Sequence, residues 1–392
     1  MSKSIEIMAD EIAAQAKLFE LCGDDVMKQV DTILKKTDMV SKINRVYITG
    51  CGDSYCAGLA CRDFFAKYAK VHVEVHHAIE FSKYICPTEV DEKAVVLSIS
   101  SSGRVARTIE CALRAKEMNA FSIGVTSNPD GPLAKTATDN IFVNIPNVVG
   151  IAPGTQSYIA SQLALMCFAI ALGKEKGVLN DEDVREIFAY ITELGEAMKL
   201  TVKNNFDLIR KYLVAYNEEG NSNRIKIFHI LGSGPNWGTA LFGSMKLLEA
   251  SGFDSIPQGV EEWAHTQYFT TKPGTHTVVL APKGGSRSRA LEILQAVTVM
   301  DGKKIVIGEE HDEELARAAD IYLPICGMDC IKEEFSQLIY PIPLELMAMH
   351  LSEVLSKQPF EFDQKPWRRA ENFRQIFDSN IESLEEENGR VE

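Results

Sequence analysis

No Cys-x-x-Cys pair occurs in this sequence, although it contains nine cysteines. An odd cysteine count without that spacing argues against a full disulfide framework. It predicts reduced thiols and a cytoplasmic protein. Cys326 and Cys330 have no Cys/His pair nearby, so plain packing is the reading there and no metal site is expected. Positive charge is also short: 41 Lys and Arg stand against 55 Asp and Glu, a formal net charge of −14. A nucleic-acid binder of this size needs a basic face, so nucleic acid is not an expected partner. The opening stretch "MSKSIEIMADEIAAQ" has charges every few residues and lacks the apolar segment of a signal peptide. The longest apolar run, near "LALMCFAIALG", is shorter than a bilayer requires and predicts a buried helix. No membrane partner is expected.

What is present is an ordinary globular composition, 45% hydrophobic and 24% charged, over 392 residues. That length suits two domains. The two halves resemble each other at an offset of about 182 residues. "VYITGCGDSYCAG" (46–58) matches "IFHILGSGPNWGTA" (227–240), with Gly50 and Gly52 on Gly232 and Gly234. "VVLSISSSGR" matches "VVLAPKGGSR" and places Arg104 on Arg287. "SIGVTSNPDGPLAKTATDNIFV" matches "KIVIGEEHDEELARAADIYL", with Asp130 on Asp312 and Asp139 on Asp320. Matches in one order at a nearly constant offset point to tandem domains.

Each copy alternates short apolar runs with helical stretches. In the first copy the runs are 45–49, 71–75, 94–99, 121–125 and 140–145, with helices near 54–69, 104–118 and 131–137. Buried runs alternating with helices predict a parallel sheet covered on both faces. About five strands per copy predict an α/β fold of two tandem flavodoxin-like αβα sandwiches. The expected organisation is an N-terminal helical segment (1–39), a first domain (40–215), a second (222–350) and a C-terminal tail (351–392), helical to 357 and extended and charged over 358–392. The polar stretch "YNEEGNSNR" (216–224) marks the boundary.

Ligands of such sheets sit beyond the carboxyl ends of the strands. "GCGDS", "SISSSGR", "GSGPN" and "PKGGSR" all lie there. Taken singly, each is a tight strand–helix turn. "GCGDSYCAG" also approximates a dinucleotide fingerprint, but no acidic residue ends the next strand as that motif requires. Serine and glycine backbone at a helix start is a place to hold an anion, and "SISSSGRVART" adds two arginines to it.

Assembled, these residues resemble the SIS (sugar isomerase) family. The likeness covers roughly residues 5 to 350. It is greatest to double-domain members such as the isomerase half of glucosamine-6-phosphate synthase, the fructosamine-6-phosphate deglycases and the SIS-type sulfoquinovose isomerase. "GCGDSY" resembles the family's GCGTSY loop and "SISSSG" its SQSGET loop. "KLLEASGFDSIPQGVEEWAH" resembles a Lys-x-x-Glu helix followed by a histidine in a GExxHGP segment. The resemblance implies that Glu249 and His265 are catalytic, with Glu262 on the motif's own glutamate. It places Gly52, Asp53, Ser54, Ser100, Ser101, Ser102, Gly103 and Arg104 at the sugar's anion. Ala152, Gly154 and Thr155, in "IAPGTQS", fall on a loop that touches the sugar. Arg369 belongs to a C-terminal group with Lys365 and Arg368. The family also implies a homodimer in which that histidine reaches the partner's site.

The chemistry implied is transfer of a carbonyl between C1 and C2 of an anionic sugar, an intramolecular oxidoreduction. It needs ring opening and an enediol, hence a carboxylate and a histidine, and no cofactor or metal. Read alone, Glu249 is a solvated helix residue and His265 a loop histidine. Val105 stands where the family has a phosphate-binding threonine, and Asp53 replaces another threonine. Like charges a few ångströms apart repel by about 4 kcal/mol at an effective dielectric of 20. These departures leave the C6 anion open between phosphate and sulfonate. If it is phosphate, Arg104 and Arg107 are exposed helix residues. The competing functions are a fructosamine-6-phosphate deglycase and a non-catalytic sugar-phosphate sensor. With no glutaminase domain ahead of the first copy, transfer of nitrogen from glutamine is not expected.

Overall fold

The computed structural model describes residues 3–36, 40, 42–145, 152–360 and 366–388. Two helices lead in, α1 (Lys3–Ala14) and α2 (Leu18–Lys35). Then come β1 (Arg45–Gly50), α3 (Asp53–Tyr68), β2 (His72–His77), β3 (Ala94–Ile99), α4 (Ala106–Glu117), β4 (Phe121–Thr126), α5 (Pro132–Thr136) and β5 (Asp139–Phe142). These strands form one parallel sheet of order β2-β1-β3-β4-β5. Two long helices follow, α6 (Gln156–Glu175) and α7 (Asp181–Ala215).

The second copy repeats the plan. It runs β6 (Ile227–Gly232), α8 (Pro235–Ser251), β7 (Ser255–Gly259), α9 (Val260–Trp263), β8 (Thr275–Leu280), α10 (Arg287–Val299), β9 (Lys303–Glu309), α11 (Glu313–Ala318) and β10 (Ile321–Ile325). Its parallel sheet has the order β7-β6-β8-β9-β10, the same sequence of strands as the first. The chain closes with α12 (Pro341–Val354), α13 (Pro366–Phe377) and α14 (Leu384–Asn388). The fold is therefore two flavodoxin-like α/β sandwiches, as the alternating pattern predicts. β3 and β4 are buried at every residue, which is why they read as unbroken apolar runs.

The duplication extends to backbone conformation. Gly52 precedes α3 with φ 55° and ψ −128°, and Gly234 precedes α8 with φ 56° and ψ −132°. Side chains rarely tolerate that region, so both copies require glycine there.

Two compact units divide the chain. One comprises 18–146, 157–189 and 362–392 and holds the first sheet; the other comprises 1–17, 147–156 and 190–361 and holds the second. These units interleave along the chain, whereas the sequence reading placed one boundary at 216–224.

Three expectations are revised. The C-terminal region is not an extended tail: α13 and α14 occupy much of 366–388, and Leu384 packs against the core cluster around Tyr47, Phe81 and Met118. Residues 389–392 and Lys365 lie outside the described residues. The run "LALMCFAIALG" belongs to α6, which at 20 residues is long and apolar enough to cross a membrane, yet its apolar window is 94% buried. Finally, Arg104 and Arg287 are not equivalent. Arg287 is the first residue of α10, while α4 begins at Ala106. The Gly-rich loops tolerate this slip because they carry no side-chain periodicity to fix a register.

Candidate functional site

β1 and β3 are neighbours, with Gly50 opposite Ile99, so the loops that leave them start side by side. This brings Gly52, Asp53 and Ser54 near Ser100–Arg104. The second loop is tied down through its carbonyls. Ser127 N–H and Thr126 Oγ1 donate to Ser101 O at 3.0 and 3.2 Å, and Asn128 Nδ2 donates to Ser102 O at 3.0 Å. Ser100 N–H donates to Val125 O at 3.0 Å, and Gly103 N–H to Ser100 O at 2.9 Å. Among the described residues no acceptor meets the Ser101 and Ser102 amides. The loop that carries those amides runs into the start of α4, where the helix dipole favours an anion. A small recess beside them is lined by hydroxyls of Ser101, Thr126, Ser127, Ser157 and Ser161. Ser100 is buried and Ser102 exposed. Asp53 opens α3 and Ser54 is half-buried beside it.

The two arginines of this loop have separate contacts. Arg107 pairs with the fully buried carboxylate of Glu110. Arg104 is exposed, and its guanidinium lies 4.9 Å from the ring centre of Phe377. Arg369, on α13, stacks over Phe373 at 5.3 Å and is also exposed.

In the unit of the second sheet, Glu249 stands in the last turn of α8. Lys246 Nζ donates to its Oε2 at 2.6 Å, with the lysine side chain 1% exposed and the glutamate 33%. The buried ammonium also lies 5.2 Å over the Phe242 ring. A carboxylate so close to a buried cation is favoured in its ionised form. His265 follows α9, side chain 63% exposed, with Nε2 3.3 Å from Glu261 Oε1. Glu261 in turn accepts from Arg289 at 2.6 Å, and the arginine's hydrogen bonds hold its carboxyl below the usual range. The fully buried Trp263 anchors this segment: its indole N–H donates to His229 Nδ1 at 3.3 Å. Burial lowers the His229 imidazole to about 4, which keeps it a neutral acceptor. Glu262 is exposed. Ala152 and Gly154 are half-buried. Thr155 is buried, and its amide and hydroxyl donate to Glu11 Oε2 at 2.7 and 3.4 Å, so its hydroxyl is engaged within the chain.

Sequence reasoning did not assign Lys246 or Phe377. The Lys-x-x-Glu spacing puts both side chains on one helix face, which is the signal for Lys246. For Phe377 the signal is the Trp367–Phe373–Phe377 spacing behind Pro366, an amphipathic helix with proline at its start.

Residues 39–171 match the model of the SIS domain. The chain carries a SIS domain. It is homologous to glutamine–fructose-6-phosphate aminotransferase [isomerizing] of Clostridium tetani, 28% identical over 354 residues, covering 88% of this chain and 55% of that protein. The chain spans about half the length of the curated relatives it matches. Among solved structures, the C-terminal domain of glucosamine-fructose-6-phosphate aminotransferase from Francisella tularensis superposes with a TM-score of 0.77 at 21% identity. The match covers 90% of this chain and 97% of that one. Tagatose-6-phosphate ketose/aldose isomerase from Escherichia coli gives 0.73 at 14% identity, covering 97% and 96%. At these identities the structural matches establish the SIS fold.

Proposed function

We propose that this SIS protein is an aldose–ketose isomerase for a hexose carrying an anion at C6. The observation that carries the reading is the Lys246–Glu249 pair, a part-exposed carboxylate 2.6 Å from a buried ammonium that favours its ionised form. That is the state a base needs to take a proton from C1 or C2 and return it to the neighbouring carbon through an enediol. His265, exposed and paired with Glu261 at the surface, serves the oxygens in ring opening. The Ser101 and Ser102 amides, with Ser54, Ser100 and the Ser102 hydroxyl, hold the C6 anion. Arg104 adds the charge. A homodimer is part of the proposal, and the anion is phosphate or sulfonate.

A deglycase that splits a 6-phosphofructosamine is the second reading. The relatives' own name, an aminotransferase acting on fructose 6-phosphate, favours it. The test is turnover of wild type and Glu249→Gln on hexose 6-phosphates, 6-sulfosugars and fructosamine 6-phosphate. The variant should lose about 10²- to 10⁴-fold in turnover, the scale of a positioned acid–base group, while binding is largely kept. Aldose–ketose interconversion without amine release selects the isomerase. Full activity in Glu249→Gln removes this carboxylate from the mechanism.

A further inference from the structure

The crevices at the carboxyl ends of the two sheets descend from one design but differ chemically. In the second copy Ala281 N–H donates to Ile307 O at 2.9 Å, as Ser100 N–H does to Val125 O in the first. Ser286 and Val105 are the residues just before α10 and α4. Between these fixed points Lys283 stands where Ser102 does, Gly284 where Gly103 does and Gly285 where Arg104 does. Pro282, where Ser101 stands in the first copy, has no N–H to offer, and two of this loop's amides are occupied. Lys283 N–H donates to Glu309 Oε1 at 3.1 Å, and Gly285 N–H donates to Glu333 Oε2 at 3.0 Å. The Glu333 carboxylate lies so close to the backbone that a Cβ on Gly284 would sit 2.2 Å from it. A Cβ at 284 would push the Glu333 carboxylate off the loop. Glu309 is 5% exposed, and burial raises its carboxyl.

A cavity of about 550 Å³ opens beside this loop, lined by three cationic side chains and His311 against five carboxylates. Two of the cations are already paired: Arg287 with Asp312 at 2.6 Å and Glu314 at 2.9 Å, and Arg317 with Glu313 at 2.8 Å. The charge that remains is unfavourable to an anion.

We propose that Glu309 and Glu333 are internal anions that close the second copy's oxyanion cradle. They make the paired domains unequal, so that one anionic sugar binds per chain, in the first copy. They are the specificity-determining residues of the second crevice. Removing the Glu333 carboxylate opens that crevice to tetrahedral oxyanions.

The test is calorimetric titration of the full chain with inorganic phosphate, counting sites in wild type, Glu333→Ala and Glu333→Asp. Glu333→Ala should bind one more phosphate per chain than wild type. Glu333→Asp, which keeps the charge, should gain none. If Glu333→Ala does not fold, the volume-conserving double variant Glu309→Gln/Glu333→Gln should show the same gain. The proposal is overturned if the folded variants keep the wild-type count, or if wild type itself binds two. It rests on the proposed function only for the site in the first copy. A wild-type count of zero with a gain of one in the variant would remove that first site and leave the sealed cradle standing.

Discussion

Arg104 sits between two uses. Its stack on Phe377 is an exposed cation–π contact, worth about 0.5–1 kcal/mol. A charge-assisted bond to an anion is worth about 1.5–3 kcal/mol. The second exceeds the first, so a bound sugar can draw the guanidinium away from the ring. Arg104→Ala should weaken substrate capture by roughly 10- to 150-fold, at 1.4 kcal/mol per decade. Phe377→Leu should change it by less than about fivefold. Unchanged specificity constants for every anionic sugar in Arg104→Ala would exclude the residue from the site. Val105 is open to a second test because it is the N-cap of α4, with φ −65° and ψ 114°, and makes no side-chain cap. Threonine is a preferred residue there, and its hydroxyl is worth about 1 kcal/mol to the helix. Val105→Thr should therefore raise the melting temperature and, if the natural anion is sulfonate, shift preference towards a 6-phosphosugar. A variant stabilised without any change of preference would separate capping from recognition and count against the sulfonate reading.

At the level of elements, the C-terminal region is the largest departure from expectation. Its anchor is Glu110 on α4, whose side chain is fully buried. Glu110 accepts from the Glu382 amide at 3.0 Å, pairs with Lys83 at 3.1 Å and with Arg107, and Lys83 reaches Glu382 at 2.9 Å. The Leu384 amide donates to Glu117 at 3.1 Å. Burial alone would raise the Glu110 carboxyl, but the Glu382 amide, Lys83, Ser82 and Arg107 outweigh it and hold it below its usual value. A carboxyl lowered in the folded state stabilises above its unfolded value and loses that contribution as pH falls through the folded one. Docking of residues 366–388 should accordingly hold at neutral pH and loosen in acid. Glu110→Ala removes the carboxylate that Arg107 and Lys83 share, leaves Lys83 its bond to Glu382, and should cost about 3–5 kcal/mol. Protease sensitivity confined to this segment, at a pH where wild type resists, is the expected readout; equal resistance would show that the anchor is dispensable. The sequence conceals this anchoring. Glu110 and Lys83 are distant in the chain, and charged residues in a charged stretch read as solvated. The first copy's strands, by contrast, were legible to within one or two residues, except that the last run (140–145) extends past the end of β5 at Phe142. A run buried on both faces carries its signal locally, whereas an ion pair or a loop register is set by partners far away in sequence.

Across the whole molecule, the duplication fixes two similar sheets but divides their ionisable groups unequally. The unit of the second sheet buries His229, His276 and His350: desolvation lowers the first two to about 4 and lowers the third as well. His276 is held between Tyr212 Oη at 2.7 Å and the Asn223 carbonyl at 2.9 Å. An unfolded histidine titrates near 6.5, so between about 6.5 and 4 the unfolded chain binds protons that the native unit refuses. The stability contribution is complete above about 6.5 and is lost as pH falls through that window, on the order of 3 kcal/mol each for His229 and His276. Glu309, raised by burial, acts in the opposite sense, while Asp312, lowered chiefly by its bond to Arg287, adds to the loss in stronger acid. Three deeply buried imidazoles against one half-desolvated carboxyl leave the net sign negative. In the unit of the first sheet, burial lowers His77, which is less enclosed and stacks on Tyr55 at 3.6 Å. Acid unfolding should therefore proceed in two steps, with the unit of 190–361 melting first between pH 6 and 4. Trp263 lies in that unit, so its fluorescence should change before the far-UV signal is fully lost. A His276→Gln variant should flatten the pH dependence of that first step by about half. A single transition with unchanged slope in the variant would show that the buried histidines do not set the acid limit of the fold.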